Sequence, residues 1–341
     1  MGGWLQAAAL TLASTGCIGI IDKSTLKTVA PVVMSTPDIG MGCASGEALA
    51  GTMSAMGNPA KGKTPHKAQV LLLMSAAMCL EPLAWDAELS RQTALNNHES
   101  GRVQDLLEQE RRVHADAAWR YYAAWQQLDA AFALSALDEG ECPRLKASRN
   151  DDLLFLLGLS TGVLGVLHDQ AGGMEVGVPL DVPRRVERLA KCLDDDQWWG
   201  VPRALQAAVW ASVPGALPEG EDAIATLAAS AAKGRAARVR LASAFQAQTL
   251  ATLGLEDALK QAIADHAADL ATPADPRYRM LDRFAGQLVR HESDKLWAKA
   301  EGHRTPGAMY GTFPQPPADL DALNSLLDQL LPPSPVPVEG E

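Results

Sequence analysis

The clearest pattern along the chain is a stripe of apolar residues between positions 102 and 135. The residues recur at steps of three or four, with one gap at Glu110, which is the spacing of one helical face. At 1.5 Å per residue this helix would be roughly 50 Å long. The members of the stripe are Val103, Leu106, Leu107, Val113, Ala117, Tyr121, Ala124, Leu128, Ala131 and Leu134.

The same periodicity predicts helices through most of the chain. Pro31 and Pro37 interrupt the first two, and Pro82 predicts a kink in the third. Runs of β-branched and aromatic residues, the usual strand signal, are scarce, and aromatic residues make up 5% of the chain. We therefore predict an all-α fold. The predicted helices cover about 22–35, 38–57, 66–94, 102–135, 150–168, a segment from Pro183, 200–213, 219–233, 235–253, 255–270, 276–300 and 317–331.

Helices recur in pairs about every 35–45 residues beyond position 150. This spacing is typical of a tetratricopeptide-like repeat, in which each helix pair buries its inner face on the next. We predict one helical-repeat domain over 18–301. From residue 302 proline and glycine dominate, so 302–341 reads as a flexible extension with one short helix.

The amino-terminal segment resembles an export signal. Residues 4–21, WLQAAALTLASTGCIGII, form a mostly apolar run that is too polar and short for a membrane span. It contains STGC, a small-residue ending before Cys17 that suits bacterial lipoprotein processing of a segment over 1–17. Ser14 stands where Leu or Val is usual, and no Lys or Arg precedes the run. We expect a periplasmic, lipid-anchored protein; the alternative is an ordinary buried helix.

The cysteines agree with export. Apart from Cys17 there are four, which could form two bridges in an oxidising compartment, in any of three pairings. Unpaired buried thiols are the alternative. The four are Cys43, Cys79, Cys142 and Cys192.

The net charge of -11 argues against nucleic acid as a partner, because a negative surface repels phosphate backbones. The seven histidines are scattered without the spacing of metal ligands, so we predict neither a metal nor a cofactor. GMGCASG, over 40–46, departs from the spacing of a dinucleotide loop. GLSTG has the spacing of a hydrolase nucleophile motif around Ser160. Because no parallel strands are predicted around it, a serine hydrolase remains the least favoured alternative.

Two helical faces are candidates for contact with an apolar ligand. Flexible methionines suit irregular apolar molecules, and glycines remove side-chain bulk, although plain core packing explains both patterns too. The first face contains Met41, Leu49, Met53 and Met56, and the second contains Phe155, Leu159, Gly162 and Val166.

The order of segments over about 150–301 resembles the TatT family, the T-component proteins associated with TRAP-type transporters. The residues that carry this resemblance are DDLLFLLGLSTGVLGVLHDQ, VPRRVERLAKCLDDDQWWGVPRALQAAVWASVPG, EDAIATLAASAAKG, ALKQAIADHAADLATPADPRYRML and LWAKAE. CIGIIDKSTL and HKAQVLLLMSAAMCLE fit more loosely.

The resemblance implies a tetratricopeptide-like fold, a lipid-anchored periplasmic location and an apolar tunnel. It also implies a periplasmic substrate-binding protein as partner. Relatives of this architecture accompany bacterial lipid and sterol export systems, which suggests a lipid or sterol as ligand. We expect a binding protein, not an enzyme; a protein–protein scaffold without a small ligand is the alternative.

Overall fold

The structure, a computed structural model, describes residues 24–56, 64–146 and 149–314. Throughout these ranges the regular elements are helices, and the described residues contain no strand. The predicted all-α fold is confirmed. The predicted segment 1–17 and the predicted short helix at 317–331 lie outside the described residues.

The helices follow the predicted order closely. A π-helical turn at Thr25–Val29 leads into the first α-helix, and short 3-10 turns occur at Leu134–Ala136 and Gly307–Met309. The α-helices are α1 (Ala30–Ser35), α2 (Ile39–Met56), α3 (His66–Met78), α4 (Glu81–Asn96), α5 (Ser100–Phe132), α6 (Arg149–Ala171), α7 (Val182–Ala190), α8 (Val201–Ser212), α9 (Ala223–Ala236), α10 (Leu241–Thr252), α11 (Glu256–Asp269) and α12 (Arg279–Glu301).

Local sequence explains where helices begin and end. The predicted kink at Pro82 is a break instead: α3 ends at Met78, and Pro82 lies in the first turn of α4, where its missing N–H is not needed. The Asp222 side chain accepts a hydrogen bond from the Ala225 N–H at 3.0 Å and caps α9. Gly302 ends α12 in the left-handed conformation, with φ of 76°.

Helices adjacent in sequence pack on one another, and the last helix closes the array. The long helix α5 packs against α3, α4 and α6, and from α6 to α11 each helix packs on the next. Helix α12 then packs on α10 and also returns to α4, α1 and α2. The arrangement is therefore a closed helical array.

The glycines of α6 allow this helix to lie close to α5 and α7. A Cβ atom added at Gly158 would collide with the buried Leu128 side chain. One added at Gly162 would lie 2.8 Å from Trp125 Cε3 and 3.0 Å from Val186 Cγ2. The missing side chains of Gly158 and Gly162 thus make room for neighbouring helices.

Two stretches, His66–Asn96 and Asn150–Ala171, have the length and hydropathy of a membrane span. However, 67% and 83% of their most apolar windows lie buried inside the protein. Burial of this extent is typical of core helices, and both stretches contribute to the shared core.

The structure has one of the three cysteine pairings that the sequence left open. Cys43 of α2 pairs with Cys79, which lies between α3 and α4, and their Cα atoms are 5.1 Å apart. Cys142 pairs with Cys192 across a Cα separation of 5.6 Å, joining the segments that follow α5 and α7.

The packed body continues past the predicted boundary at residue 302. The Trp297 Nε1–H donates to the Thr312 carbonyl at 3.0 Å, and the Thr305 and Ser293 hydroxyl oxygens are 2.9 Å apart. Tyr310 and Phe313 pack against the core. Residues 303–313 therefore belong to the folded domain.

Candidate functional site

The predicted methionine face of α2 points largely away from the interior. Met41 is 60% exposed, Leu49 is 38% exposed, and Met53 is half-buried. The side chain of Met56 lies outside what the structure describes. The opposite face of α2, which includes Gly46, packs closely on α3. An interior ligand would therefore not contact Met41 or Leu49 in this arrangement.

The predicted face of α6 divides between the core and a cavity. Phe155 and Leu159 are fully buried, and the Phe155 ring meets the Phe132 ring edge-on at 5.3 Å. Gly162 lies under Trp125. Val166, by contrast, lines an apolar cavity of about 180 Å3 between α6, α8 and α10, which we call the α10 cavity. Its walls are Val163, Val166, Leu167, Gln170, Pro183, Ala208, Val209, Ser212, Val213, Phe245, Gln248, Thr249, Thr252 and Leu253.

A larger apolar cavity lies beneath the amino-terminal helices, and we call it the amino-terminal cavity. Its volume is about 310 Å3. Its walls are formed by the π-helical turn and α1, by α3 and α6, and by the loop before α12. They consist of Leu26, Ala30, Pro31, Met34, Ser35, Leu71, Asn150, Leu153, Leu154, Leu157, Pro276, Arg277 and Tyr278.

Two polar side chains of the amino-terminal cavity, Asn150 and Arg277, already have partners. Asn150 Nδ2 donates to the Leu26 carbonyl at 3.0 Å, which fastens the amino-terminal turn to α6. Arg277 forms an ion pair with Asp275 at 2.6 Å, and its guanidinium lies 5.3 Å from the Tyr278 ring centre. The remaining surface is mainly hydrocarbon, which suits an apolar occupant.

A third cavity, of about 240 Å3, lies between α4, α5, α6, α10 and α12, and all of these helices except α10 contribute histidines or carboxylates to its walls. We call it the histidine cavity. Its walls are Glu81, Trp85, Glu88, Glu110, His114, Leu164, Leu167, His168, Ala171, Gln248, Ala251, Thr252, His291, Glu292 and Lys295.

A chain of hydrogen bonds runs along one wall of the histidine cavity. The Tyr121 hydroxyl donates to Glu81 Oε1 at 2.9 Å, and His168 Nε2 lies 3.0 Å from the same oxygen. His114 Nδ1 lies 2.8 Å from His168 Nδ1. Three helices, α4, α5 and α6, are thereby joined through buried polar side chains.

The protonation of this chain follows from its contacts. Burial alone would raise the pKa of Glu81, but the charge and hydrogen bond of His168 and the Tyr121 hydroxyl hold it below its ordinary value. The carboxylate is therefore ionised and can only accept, so His168 Nε2 carries a proton. Burial, with the charge of His168, lowers the pKa of His114 to about 4, so His114 is neutral at pH 7.

A second group lies on the opposite wall, between α4 and α12. His291 Nε2 is 2.8 Å from Glu88 Oε2, and the Trp85 ring stacks on His291 with centres 4.9 Å apart. Lys295 Nζ lies 2.9 Å from Glu292 Oε2 and 3.6 Å from Glu88 Oε1. Despite burial, which would raise it, the bond from His291 and the charge of Lys295 lower the pKa of Glu88 to about 2.

Ser160 does not have the surroundings of a hydrolase nucleophile. It lies within the continuous helix α6, is buried, and donates its hydroxyl to the Leu156 carbonyl at 3.1 Å. The motif needs a strand-to-helix turn, and the described residues contain no strand. His168 lies on the same helix and is bound to Glu81.

The histidines that looked scattered in the sequence converge in space. His114, His168 and His291 come from α5, α6 and α12 and line one cavity. Within the described ranges, no group of three or more His, Cys, Asp or Glu residues could hold a metal ion. The available sequence signal was that each histidine continues an apolar helical face, for example His114, Ala118 and Tyr121 on α5.

Comparison with known proteins adds no relative: no family model, curated protein or solved structure matches this chain. The resemblance to TatT proteins therefore stays a prediction from the order and pattern of segments.

Proposed function

We propose that the protein is a periplasmic transport accessory protein that binds an apolar molecule, a lipid or sterol, in the amino-terminal cavity. It would cooperate with a periplasmic substrate-binding protein, to which it passes this ligand. The observation that carries the proposal is a cavity of about 310 Å3 whose walls are mainly leucine, methionine, alanine and proline side chains.

Two physical arguments favour an apolar occupant. Moving hydrocarbon out of water contributes about 25 cal/mol per Å2, so an apolar molecule needs no charged partner to remain in such a cavity. In addition, Asn150 and Arg277 already have protein partners, so a polar ligand would lose bonds to water without gaining equivalent ones here.

The proposed anchor would place the cavity close to a membrane. Cys17 precedes Thr25 by eight residues, which can span at most about 29 Å when fully extended. A lipid on Cys17 would therefore keep the amino-terminal cavity within reach of the membrane surface. The pairings Cys43–Cys79 and Cys142–Cys192 are consistent with the oxidising compartment that this location requires.

Filling the cavity tests the proposal. Ala30 lines it, and Ala30→Trp should weaken binding of dehydroergosterol or cis-parinaric acid by about tenfold or more, which corresponds to about 1.4 kcal/mol. The matched control is Ala48→Trp, at an exposed position of α2, which should bind as the parent does. Fluorescence titration measures the affinity, and circular dichroism checks that both variants fold.

Two outcomes would overturn the proposal. If Ala30→Trp binds the probes with the same affinity as the parent, the ligand binds elsewhere. If the parent binds no lipid of a broad panel, a protein–protein scaffold is favoured. The scaffold alternative is favoured by exposed apolar side chains on α1, α2 and α5: Val32, Met41 and Trp119.

A further inference from the structure

We propose that the histidine cavity is a separate binding site for an amphipathic amine. The ligand's protonated amino group would lie among the carboxylates and imidazoles, and its alkyl chain would enter the adjoining α10 cavity. This site lies between α4, α10 and α12 and is independent of the amino-terminal cavity proposed above for a lipid or sterol.

The charge of the cavity favours a cation. Four carboxylates line it, from Glu81, Glu88, Glu110 and Glu292. Among the described residues, three cations are bonded to this group: Lys295, Arg91, which lies 2.7 Å from Glu110, and His168, whose charge lowers the pKa of Glu81. The neutral His114 adds no positive charge, because its pKa is lowered to about 4. Four carboxylates thus meet three bonded cations in a partly enclosed space, where charges interact more strongly than in water.

His291 on the wall of the cavity is held by a hydrogen bond from one ring nitrogen. His291 is 6% exposed, and its Nε2 is bonded to the ionised Glu88, so Nε2 carries the ring proton. Its Nδ1 is buried and has no hydrogen-bond partner among the described residues. One ring nitrogen of His291 is therefore left without a hydrogen bond beside the Glu88 carboxylate.

An ammonium group matches these features. It carries one positive charge and three N–H donors, whereas a carboxylate ligand would bring a further negative charge and no donor. Trp85, which also lines the cavity and stacks on His291, adds an aromatic surface of the type that attracts cations within about 6 Å.

The neighbouring apolar space selects an amine with a tail. The histidine cavity and the α10 cavity share Leu167, Gln248 and Thr252, so they lie side by side on α6 and α10. Beyond these shared residues the walls of the α10 cavity are mostly apolar and include Val166 and Phe245. An alkyl chain of moderate length can remove this surface from water while the amino group stays with the carboxylates.

Three probes of equal chain length test the chemistry: n-octylammonium, n-octanoate and n-octanol. Isothermal titration calorimetry at pH 7 should show binding of n-octylammonium at least about tenfold tighter than of the other two, a difference of about 1.4 kcal/mol. Tighter or equal binding of n-octanoate, or no binding of any probe, would overturn the proposal.

Substitutions test the location. Glu292→Gln and Trp85→Leu should each weaken n-octylammonium binding by about fivefold or more, since each removes an attraction to the cation. Glu108→Gln, on the outer surface of α5, is the matched control and should leave the affinity unchanged. If either interior variant fails to fold, the exposed Thr252→Trp, which narrows the junction of the two cavities, replaces it. Parent-like affinity in the folded interior variants, or in Thr252→Trp, would overturn the assignment.

Because Ala30 lies outside both cavities, Ala30→Trp should not affect n-octylammonium binding, which separates this test from that of the lipid site.

Discussion

His114 Nδ1 lies 2.8 Å from His168 Nδ1, although the two residues are 54 positions apart in the chain. A contact this short requires that one of the two nitrogens carries a proton and donates a hydrogen bond, which the other nitrogen accepts. His168 is fixed from its other side by Glu81, which also accepts from Tyr121. The carboxylate of Glu81 is therefore the acceptor that orients all the side chains in this series of hydrogen bonds.

Removing this acceptor should destabilise the protein strongly. Glu81→Ala leaves the buried Tyr121 hydroxyl and the His168 ring without their shared partner, so we expect a loss of about 3 kcal/mol in the free energy of unfolding. Tyr121→Phe removes one bond and should cost about 1 kcal/mol. Urea unfolding followed by circular dichroism measures both. Glu108→Ala, at a half-exposed surface pair, serves as control and should stay within about 0.5 kcal/mol.

A pair of glycines on α2 should respond in opposite directions to alanine. A Cβ at Gly46 would lie 2.6 Å from the Ala76 backbone nitrogen on α3, and backbone cannot move aside cheaply. We expect Gly46→Ala to destabilise by about 1–3 kcal/mol. At Gly51 a Cβ would meet nothing within 4 Å, so Gly51→Ala should stabilise by up to about 1 kcal/mol through helix propensity. Equal effects, measured by thermal or urea unfolding, would contradict the close contact of α2 and α3.

The helices were predictable because their signal is local. The apolar stripe of α5 and the proline and glycine positions set most boundaries to within a few residues. The glycines of α6 were visible too, but the sequence could not distinguish space left for a ligand from space occupied by Leu128 and Trp125. That distinction depends on which helix packs there, and spacing within one helix does not determine it.

The histidine cavity was not predicted because its parts are distant in the chain. Glu88 and His291 are separated by 203 residues, and they meet because α12 returns to α4. The repeat pattern describes contacts between neighbours in sequence and gives no signal for this closure. The amino-terminal cavity likewise needs the loop before α12 beside α6.

Acid should weaken the fold through His266. Its side chain is fully buried, and neither ring nitrogen has a hydrogen-bond partner among the described residues. Burial, together with the positive charges of Arg240 and Arg235, lowers the pKa of His266 from 6.5 to about 4. The unfolded chain therefore binds this proton more readily than the folded protein does. The contribution of neutral His266 to the free energy of unfolding is fully present above about pH 6.5. It decreases as the pH falls below this value, and it is lost completely below about pH 4.

The measurement is urea unfolding at pH 7, 6 and 5. Each pH unit inside this window should cost up to about 1.4 kcal/mol from His266 alone, and His114 adds to the same trend. In His266→Leu the dependence on pH should be shallower by the share that His266 contributes. An unchanged slope in that variant would show that His266 is not held neutral in the folded protein.

The disulfide between Cys142 and Cys192 should contribute to the free energy of unfolding. This bond joins residues 50 positions apart and closes a loop that contains α6 and α7. Restricting a loop of this length in the unfolded chain typically contributes about 2–4 kcal/mol. The double variant Cys142→Ser with Cys192→Ser should lose that amount in urea unfolding under oxidising conditions. A second comparison is made under reducing conditions, with Cys43→Ser and Cys79→Ser introduced into both proteins. There the protein that lacks Cys142 and Cys192 should have the same free energy of unfolding as the protein that keeps them. Thiol counting on the denatured, unreduced protein with Cys17→Ala supplies the independent check: no free thiol is expected, and four would refute both pairings.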